Sequence, residues 1–151
     1  MIRKYSDMNK DITKTSEFQR WFGNSKVVDS NGNPLIVYHG TNSHFTVFQE
    51  SRSGQAGKGF YFTPYDGESM QYGGKIMKVY LSLQNPVILK RQEIPMSVKS
   101  WRENMEYLGY DGVMILDGVG SLDELVAWYP TQIKSINNVG TFDPNNPDIT
   151  Q

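Results

Sequence analysis

The chain has no cysteine and only two histidines, His39 and His44, among its 151 residues. Without cysteine it can form no disulfide framework, no thiolate metal site and no cysteine nucleophile. With two histidines, a transition-metal site would have to be built mainly from carboxylates. We therefore expect a function that uses no metal.

Long apolar runs are also missing. No stretch of about 18 apolar residues occurs, and the opening residues 1–7 lack the apolar segment of a signal peptide. A mass of 17.2 kDa with 38% hydrophobic residues is typical of one globular domain. We expect a cytoplasmic monomer with a loose segment over 1–15, one domain over 16–139, and an irregular tail over 140–151 outside the core.

Net charge is low, at -1, so the chain has no general attraction to nucleic acid or anionic lipid. The charge is nevertheless uneven, because 14 of the 15 basic residues lie in the first 102 residues. This half could face phosphates, or the two halves could neutralise each other across the fold.

Hydrophobic spacing predicts several short elements. Apolar residues at helical spacing predict a helix over 16–22 and another over 97–107. A turn at 31–34 predicts a hairpin between two strand-like runs, and the polar, glycine-rich segment 51–59 predicts an exposed, mobile loop. Further strands are expected at 60–63, 76–83, 112–116 and 124–129. Short strands without a βαβ rhythm indicate an α+β fold with mainly antiparallel pairing, and disfavour a parallel doubly wound sheet.

Four residues are candidates for chemistry, although each also fits an ordinary structural role. His39 precedes a glycine at a strand end, where it could face a cleft or be a satisfied structural histidine. Tyr61 and Tyr72 could bind a ligand or pack as core aromatics. Glu124 starts an apolar run and could be catalytic or a charge at a strand edge. The glycine loop has no nucleotide-binding spacing, and no serine lies in a G-x-S-x-G elbow.

Order and spacing together are more specific than any one of these residues. Three motifs follow one another: Tyr38-His39-Gly40-Thr41; Gly59-Phe60-Tyr61-Phe62-Thr63 with Ser69 and Tyr72; and Glu124-Leu125-Val126-Ala127-Trp128 with Gln132. They resemble the His-Tyr-Glu class of ADP-ribosyltransferases, which includes the poly(ADP-ribose) polymerases and diphtheria toxin. The polymerase motif G-x-Y-F-x(6)-S-x-x-Y, and a Glu opening a strand with a Gln eight residues later, are both matched here.

A second resemblance extends along most of the chain, from residue 16 to about 149. It is to the compact ADP-ribosyltransferase-like domains of phage and mobile-element polyvalent proteins. The matching segments are Phe18-x-x-Trp21-Phe22, Val27-Val28-Asp29, Tyr38-His39-Gly40-Thr41, Asp111-Gly112-Val113 and Gly140-Thr141-Phe142-Asp143-Pro144-Asn145. The resemblance implies a split β-sandwich with a few short helices.

The resemblance also implies a role for each site residue, with NAD+ as co-substrate and no metal. Glu124 would bind the nicotinamide ribose and stabilise its developing positive charge. Tyr61 and Tyr72 would bracket the nicotinamide ring, while the Gly40 backbone and the Ser69 hydroxyl would hold its carboxamide. His39 and Thr41 would hold the adenine-side ribose.

Two departures from the related families limit what can be carried over. Glu68 stands where the polymerases have a lysine, and Leu122 stands where arginine-directed transferases have Glu or Gln. The 151 residues also leave no room for the extra regulatory domains of the polymerases, so the expected activity is mono-ADP-ribosylation. The resemblance to the polyvalent-protein domains implies a role in phage–host conflict. Its acceptor, protein or nucleic acid, stays open, and the basic residues over 75–102, interleaved with Tyr80 and Trp101, could contact RNA or DNA. An NAD+ glycohydrolase and an inactive binding module are the alternatives.

Overall fold

The computed structural model describes residues 11–49, 52–69 and 74–151, with the backbone alone for 52, 53, 68 and 69. The helices are α1 (Ser16–Phe22), α2 (Asp66–Ser69) and α3 (Val98–Tyr107). The strands are β1 (Val37–Thr41), β2 (Arg52–Gly54), β3 (Gly57–Phe62), β4 (Lys75–Leu81), β5 (Val87–Lys90), β6 (Gly112–Leu116), β7 (Leu122–Ala127) and β8 (Ile133–Ser135). Short 3-10 turns cover Ile12–Lys14, Arg91–Glu93 and Pro130–Gln132.

The strands form two sheets. One has the order β1-β4-β8, and the other has the order β2-β3-β7-β6-β5. All pairs within them are antiparallel except β5 with β6. The predicted α+β fold with mainly antiparallel pairing is therefore confirmed.

The parallel pair is a local exception to the prediction that the chain has no βαβ unit. Strand β5 runs parallel to β6, and α3 connects them. A parallel connection needs such a crossover, because the chain must return to the same end of the sheet. The sequence did not show this, since β5 is only four residues long and lies directly after Pro86.

Helix α1 follows the prediction from its sequence. Thr15 caps its first turn by accepting from the Phe18 N–H at 3.2 Å, and Gly23 ends it with a φ of 54°. Its apolar face, Phe18, Trp21 and Phe22, is buried in an aromatic cluster. That cluster includes Tyr80 of β4, so the helix is attached to the three-stranded sheet.

The C-terminal tail belongs to the core, contrary to the prediction that it lies outside. Phe142 is fully buried against Phe18, and Ile149 joins the main core between the sheets. The buried Lys134 also holds the tail by donating to the Asn146 and Asp148 carbonyls at 2.8 and 3.2 Å. Turn-forming composition predicted the irregular backbone but could not show that two apolar residues in it are buried.

The glycine-rich segment is a hairpin, so the prediction of an exposed loop over 51–59 is wrong. Strands β2 and β3 pair through it, and Ala56, Gly57 and Gly59 are buried. Gly59 is required because a Cβ there would lie 2.3 Å from Val126 Cγ1. The glycines allow close packing between strands, which composition does not distinguish from flexibility.

Several predicted boundaries also change. The predicted hairpin around 31–34 contains a single bridge, between Val28 and Pro34, and strand β1 begins at Val37. Strand β7 begins at Leu122, so Glu124 is its third residue. Helix α3 agrees with the predicted 97–107. Of the predicted loose segment 1–15, residues 1–10 lie outside the described residues.

Candidate active site

The two sheets meet at one bridge, and the candidate site lies beside it. Tyr38 of β1 and Thr63, directly after β3, exchange both backbone hydrogen bonds, at 2.9 and 3.0 Å. A continued antiparallel ladder would next pair Gly40 with Tyr61. Instead His39 Nδ1 lies 2.8 Å from the Tyr61 carbonyl oxygen. The His39 side chain thus takes the acceptor that a continuing ladder would use.

One hydrogen bond and the packing of the ring fix the position of His39. Because a carbonyl oxygen only accepts, Nδ1 is the ring nitrogen that donates to Tyr61. The ring packs against Phe45, Phe48 and Phe62, with centroids 5.1 to 6.4 Å away. His39 is therefore fixed in place where the sheets separate.

The backbone N–H and C=O of Gly40 point away from β4, towards the side on which the two sheets separate. In the β1–β4 register Gly40 lies opposite Ile76, and the Tyr38 N–H and C=O already point towards β3. Backbone groups alternate along a strand, so the Gly40 N–H and C=O point to the same side as those of Tyr38. A pair of backbone groups at this position can bind a carboxamide, which needs one donor and one acceptor.

The other predicted binding residues are less completely defined. Thr41 is 5% exposed, and its Oγ1 accepts from the Ser43 N–H at 3.0 Å. Ser69 ends α2, and only its backbone is described. Tyr72 lies outside the described residues.

Tyr61 points to the opposite face of β3 from Phe60 and Phe62. It packs with a cluster that contains Val126 and is covered by α3. Its hydroxyl donates to the Gly57 carbonyl and accepts from the Ala56 N–H at 3.1 Å. Burial raises the pKa of Tyr61 to about 12, and the nearby Glu124 carboxylate adds to the rise. Tyr61 is a neutral, anchored phenol at physiological pH.

Glu124 lies on the same face as Tyr61. Leu125 pairs with Phe62 and Val126 with Tyr61, so Glu124 is one diagonal step from the tyrosine. Glu124 Oε1 lies 3.3 Å from Nη2 of Arg91, and its side chain is 23% exposed. The carboxylate is thus partly open to solvent and next to a guanidinium.

The structure brings some predicted residues together and separates others. Tyr61 and Glu124 share one face of the five-stranded sheet. The His39 ring lies on the other face of β3 and is linked to Tyr61 through the tyrosine's carbonyl. His39, Tyr61 and Glu124 therefore all lie around β3, but their three side chains do not converge on a single point.

Arg91 is a residue of this site that the sequence reasoning treated only as part of a basic stretch. Its Nη2 lies 2.7 Å from Asp123 Oδ2 as well as 3.3 Å from Glu124. Although burial opposes ionisation, the hydrogen bond to Asp123 and the charge of Glu124 raise the pKa of Arg91 overall. No sequence signal links residue 91 to 124, since the contact arises from the β5–β6–β7 order.

Two motif residues prove to be structural. The Gln132 side chain accepts from the Trp128 and Tyr129 N–H groups and donates to the Asp111 carbonyl. The Asp111 carboxylate accepts from the N–H groups of residues 84 and 85. Both side chains hold turns that bring the strands into register.

The basic residues over 75–102 do not form one stripe with the aromatic residues. Tyr80 is 7% exposed in the α1 cluster, so it cannot stack on a base. Arg91 is paired with acids, and Arg102 lies 5.0 Å from the Trp128 ring. Tyr80 and Trp101 therefore do not form one stripe with the basic residues, because β4 and α3 belong to different parts of the fold.

The described ranges hold neither a metal-binding group nor a membrane span. Within residues 11–49, 52–69 and 74–151, no three His, Asp or Glu side chains are grouped so that they could hold a metal ion. Over the same ranges, no helix has the length and apolar character needed to cross a membrane.

The two mainly antiparallel sheets separate beside His39, and Glu124 lies on β7, the strand next to β3. This arrangement defines an ADP-ribosyltransferase-like α+β domain. The family model described as ADP-ribosyltransferase in polyvalent proteins matches residues 29–142, and the chain belongs to this family. No curated protein matches the chain. Among solved structures, the crystal structure of an anti-CRISPR protein is similar to it, with a TM-score of 0.36 and 14% identity. That similarity covers 66% of this chain and 91% of the other.

Proposed function

We propose that the protein is a mono-ADP-ribosyltransferase that cleaves NAD+ at the nicotinamide–ribose bond and transfers ADP-ribose to a macromolecular acceptor. The observation that carries this proposal is the place of Glu124. Its carboxylate lies on one face of the sheet with Tyr61, is partly exposed, and is paired with Arg91. The family supplies the reaction class, ADP-ribosyl transfer.

The reaction requires a carboxylate of this kind. As the bond between ribose C1′ and the nicotinamide nitrogen breaks, its electron pair leaves with nicotinamide, and positive charge develops on the ribose. An ionised Glu124 beside the ribose hydroxyls would stabilise that charge more strongly than it stabilises the ground state. The acceptor nucleophile then bonds to C1′, and its proton passes to Glu124 or to solvent.

Binding of NAD+ would use the region where the sheets separate. The Gly40 N–H and C=O fit the carboxamide, because they point away from β4. Tyr61, Tyr72 and Ser69 are proposed around the nicotinamide ring by resemblance to the family. His39 and Thr41 are proposed for the adenine-side ribose. None of these roles requires a metal.

The decisive experiment is nicotinamide release from NAD+ by the wild type and by Glu124→Gln. Glutamine keeps the size of the side chain and one acceptor oxygen but cannot be ionised, so release should fall at least about a hundredfold while NAD+ binding is largely kept. Glu103→Gln is the matched control, because Glu103 is exposed on α3. Equal release by wild type and Glu124→Gln would reject the proposal.

The acceptor is tested in the same assay by adding protein, RNA or DNA fractions of a cell extract. Stimulation of release by one fraction, with label from NAD+ on it, would identify the acceptor class. Release that no fraction changes would indicate water as acceptor and hence an NAD+ glycohydrolase. NAD+ binding without release would indicate a binding module. A role in phage–host conflict is proposed from the family alone.

A further inference from the structure

We propose that Arg91 is a positioning residue that holds Glu124 in place, and that a β-bulge at Asp123 makes this possible. The inference rests on the proposed function, because it concerns the carboxylate assigned there. Arg91 follows the last residue of β5 and begins a 3-10 turn. It is therefore attached to the edge strand of the same sheet that carries Glu124.

The bulge is visible in the register of β6 with β7. Ile115 pairs with Glu124, whereas Leu116 pairs with Leu122, so Asp123 is an extra residue without a partner across the ladder. In a regular strand, consecutive side chains point to opposite faces. A bulge re-aims them and is common beside active sites. Here it lets two consecutive carboxylates reach one guanidinium.

The guanidinium contacts both acids through Nη2. It lies 2.7 Å from Asp123 Oδ2 and 3.3 Å from Glu124 Oε1. The shorter contact fixes Arg91, and Arg91 in turn fixes one oxygen of Glu124. A lysine could not do this equally well, since a guanidinium has a rigid, planar set of donors.

A third contact connects Arg91 to the hairpin that anchors Tyr61. Nη1 of Arg91 donates to the Gln55 side-chain oxygen, and Gln55 lies in the β2–β3 turn. The next two residues, Ala56 in the turn and Gly57 at the start of β3, bind the Tyr61 hydroxyl. One arginine therefore ties the hairpin of Tyr61 to the carboxylate of Glu124.

The positive charge of Arg91 also favours the ionised form of Glu124. Its side chain is 23% exposed, and Asp123 is adjacent to it, so without Arg91 two negative charges would face each other with less compensation. The arginine thus has two effects on the carboxylate, on its orientation and on its ionisation, and both can be measured.

The test is a kinetic comparison of wild type, Arg91→Ala and Arg91→Lys in nicotinamide release. For Arg91→Ala we expect kcat to fall about tenfold or more while KM for NAD+ stays within about threefold, because a mispositioned group costs rate rather than binding. The acid limb of its pH–rate profile should move up by about half a pH unit or more. Added guanidinium ion, at concentrations below those that unfold the protein, should restore part of the rate.

Arg91→Lys keeps the charge, so its acid limb should stay near that of the wild type while kcat remains reduced. Lys90→Ala is the matched control, since Lys90 is an exposed neighbour on β5. Wild-type kcat and an unchanged pH profile in Arg91→Ala would overturn the inference. If Arg91→Ala does not fold, wild-type kcat in Arg91→Lys overturns it instead. Activity in Glu124→Gln would reject the proposed function separately.

Discussion

Replacement of the buried Lys134 should change how the stability of the protein depends on pH. Lys134 is fully buried, and its ammonium donates to two backbone carbonyls of the C-terminal tail. Burial lowers its pKa from 10.5 to about 8, although the charges of Asp143 and Asp148 partly oppose this. Lys134→Met removes the titrating group and keeps a side chain of similar length.

The direction in which stability changes with pH follows from the number of protons that the folded and unfolded states bind. Between pH 8 and pH 10.5 the unfolded chain holds the Lys134 proton and the folded protein has largely lost it, so stability rises with pH in this window. One pKa unit corresponds to about 1.4 kcal/mol, so the rise from pH 7 to pH 10 is about 2 to 3 kcal/mol. Above pH 10 the two tyrosines Tyr61 and Tyr129 lower the stability as pH rises, because their pKa values in the folded protein are raised to about 12.

Urea unfolding at pH 7, 8, 9 and 10, followed by tryptophan fluorescence, measures this directly. The free energy of unfolding of the wild type should rise by about 2 to 3 kcal/mol relative to Lys134→Met. Any constant difference between the two proteins does not matter, because the prediction concerns the slope. Parallel curves for wild type and Lys134→Met would refute the reasoning.

Other substitutions test the packing. Phe18→Ala should cost about 3 to 5 kcal/mol in urea unfolding, because its ring contacts four other aromatic rings; a loss below about 1 kcal/mol would contradict this core assignment. Gly112→Ala should cost about 1 to 3 kcal/mol, since a Cβ there would lie 2.6 Å from a backbone oxygen, whereas Gly118→Ala, with open space around it, should be neutral. Gln132→Ala should lower the melting temperature but leave nicotinamide release per folded molecule unchanged; a selective loss of kcat would place Gln132 in the active site instead.

Local patterns in the sequence predicted the elements that are stabilised locally. The periodic apolar residues of α1 and α3, with the glycines that follow them, indicated their bounds to within about one residue. Strand β6 was predicted over 112–116 for a similar reason, since its apolar run is bounded by turn residues. Such signals depend on neighbours within a few residues, so no tertiary information is needed.

The order of the motifs along the chain also indicated the family, and with it the sheet arrangement.

The predictions made from composition for the glycine-rich segment and for the tail were wrong for the same reason. Glycine and turn residues can serve flexibility or close packing, and only the partner surface decides which. For the segment at 51–59 that partner is β7, and for the tail it is α1 and the inter-sheet core.

By itself, the sequence determined the fold class, the main helices and the identity of His39, Tyr61 and Glu124 as candidates. Only the tertiary structure decided that His39 lies where the sheets separate and that Arg91 reaches Glu124. These contacts join residues that are 22 and 33 positions apart. They depend on strand order, register and a single bulged residue, which are decided by pairing between segments that are distant in the sequence.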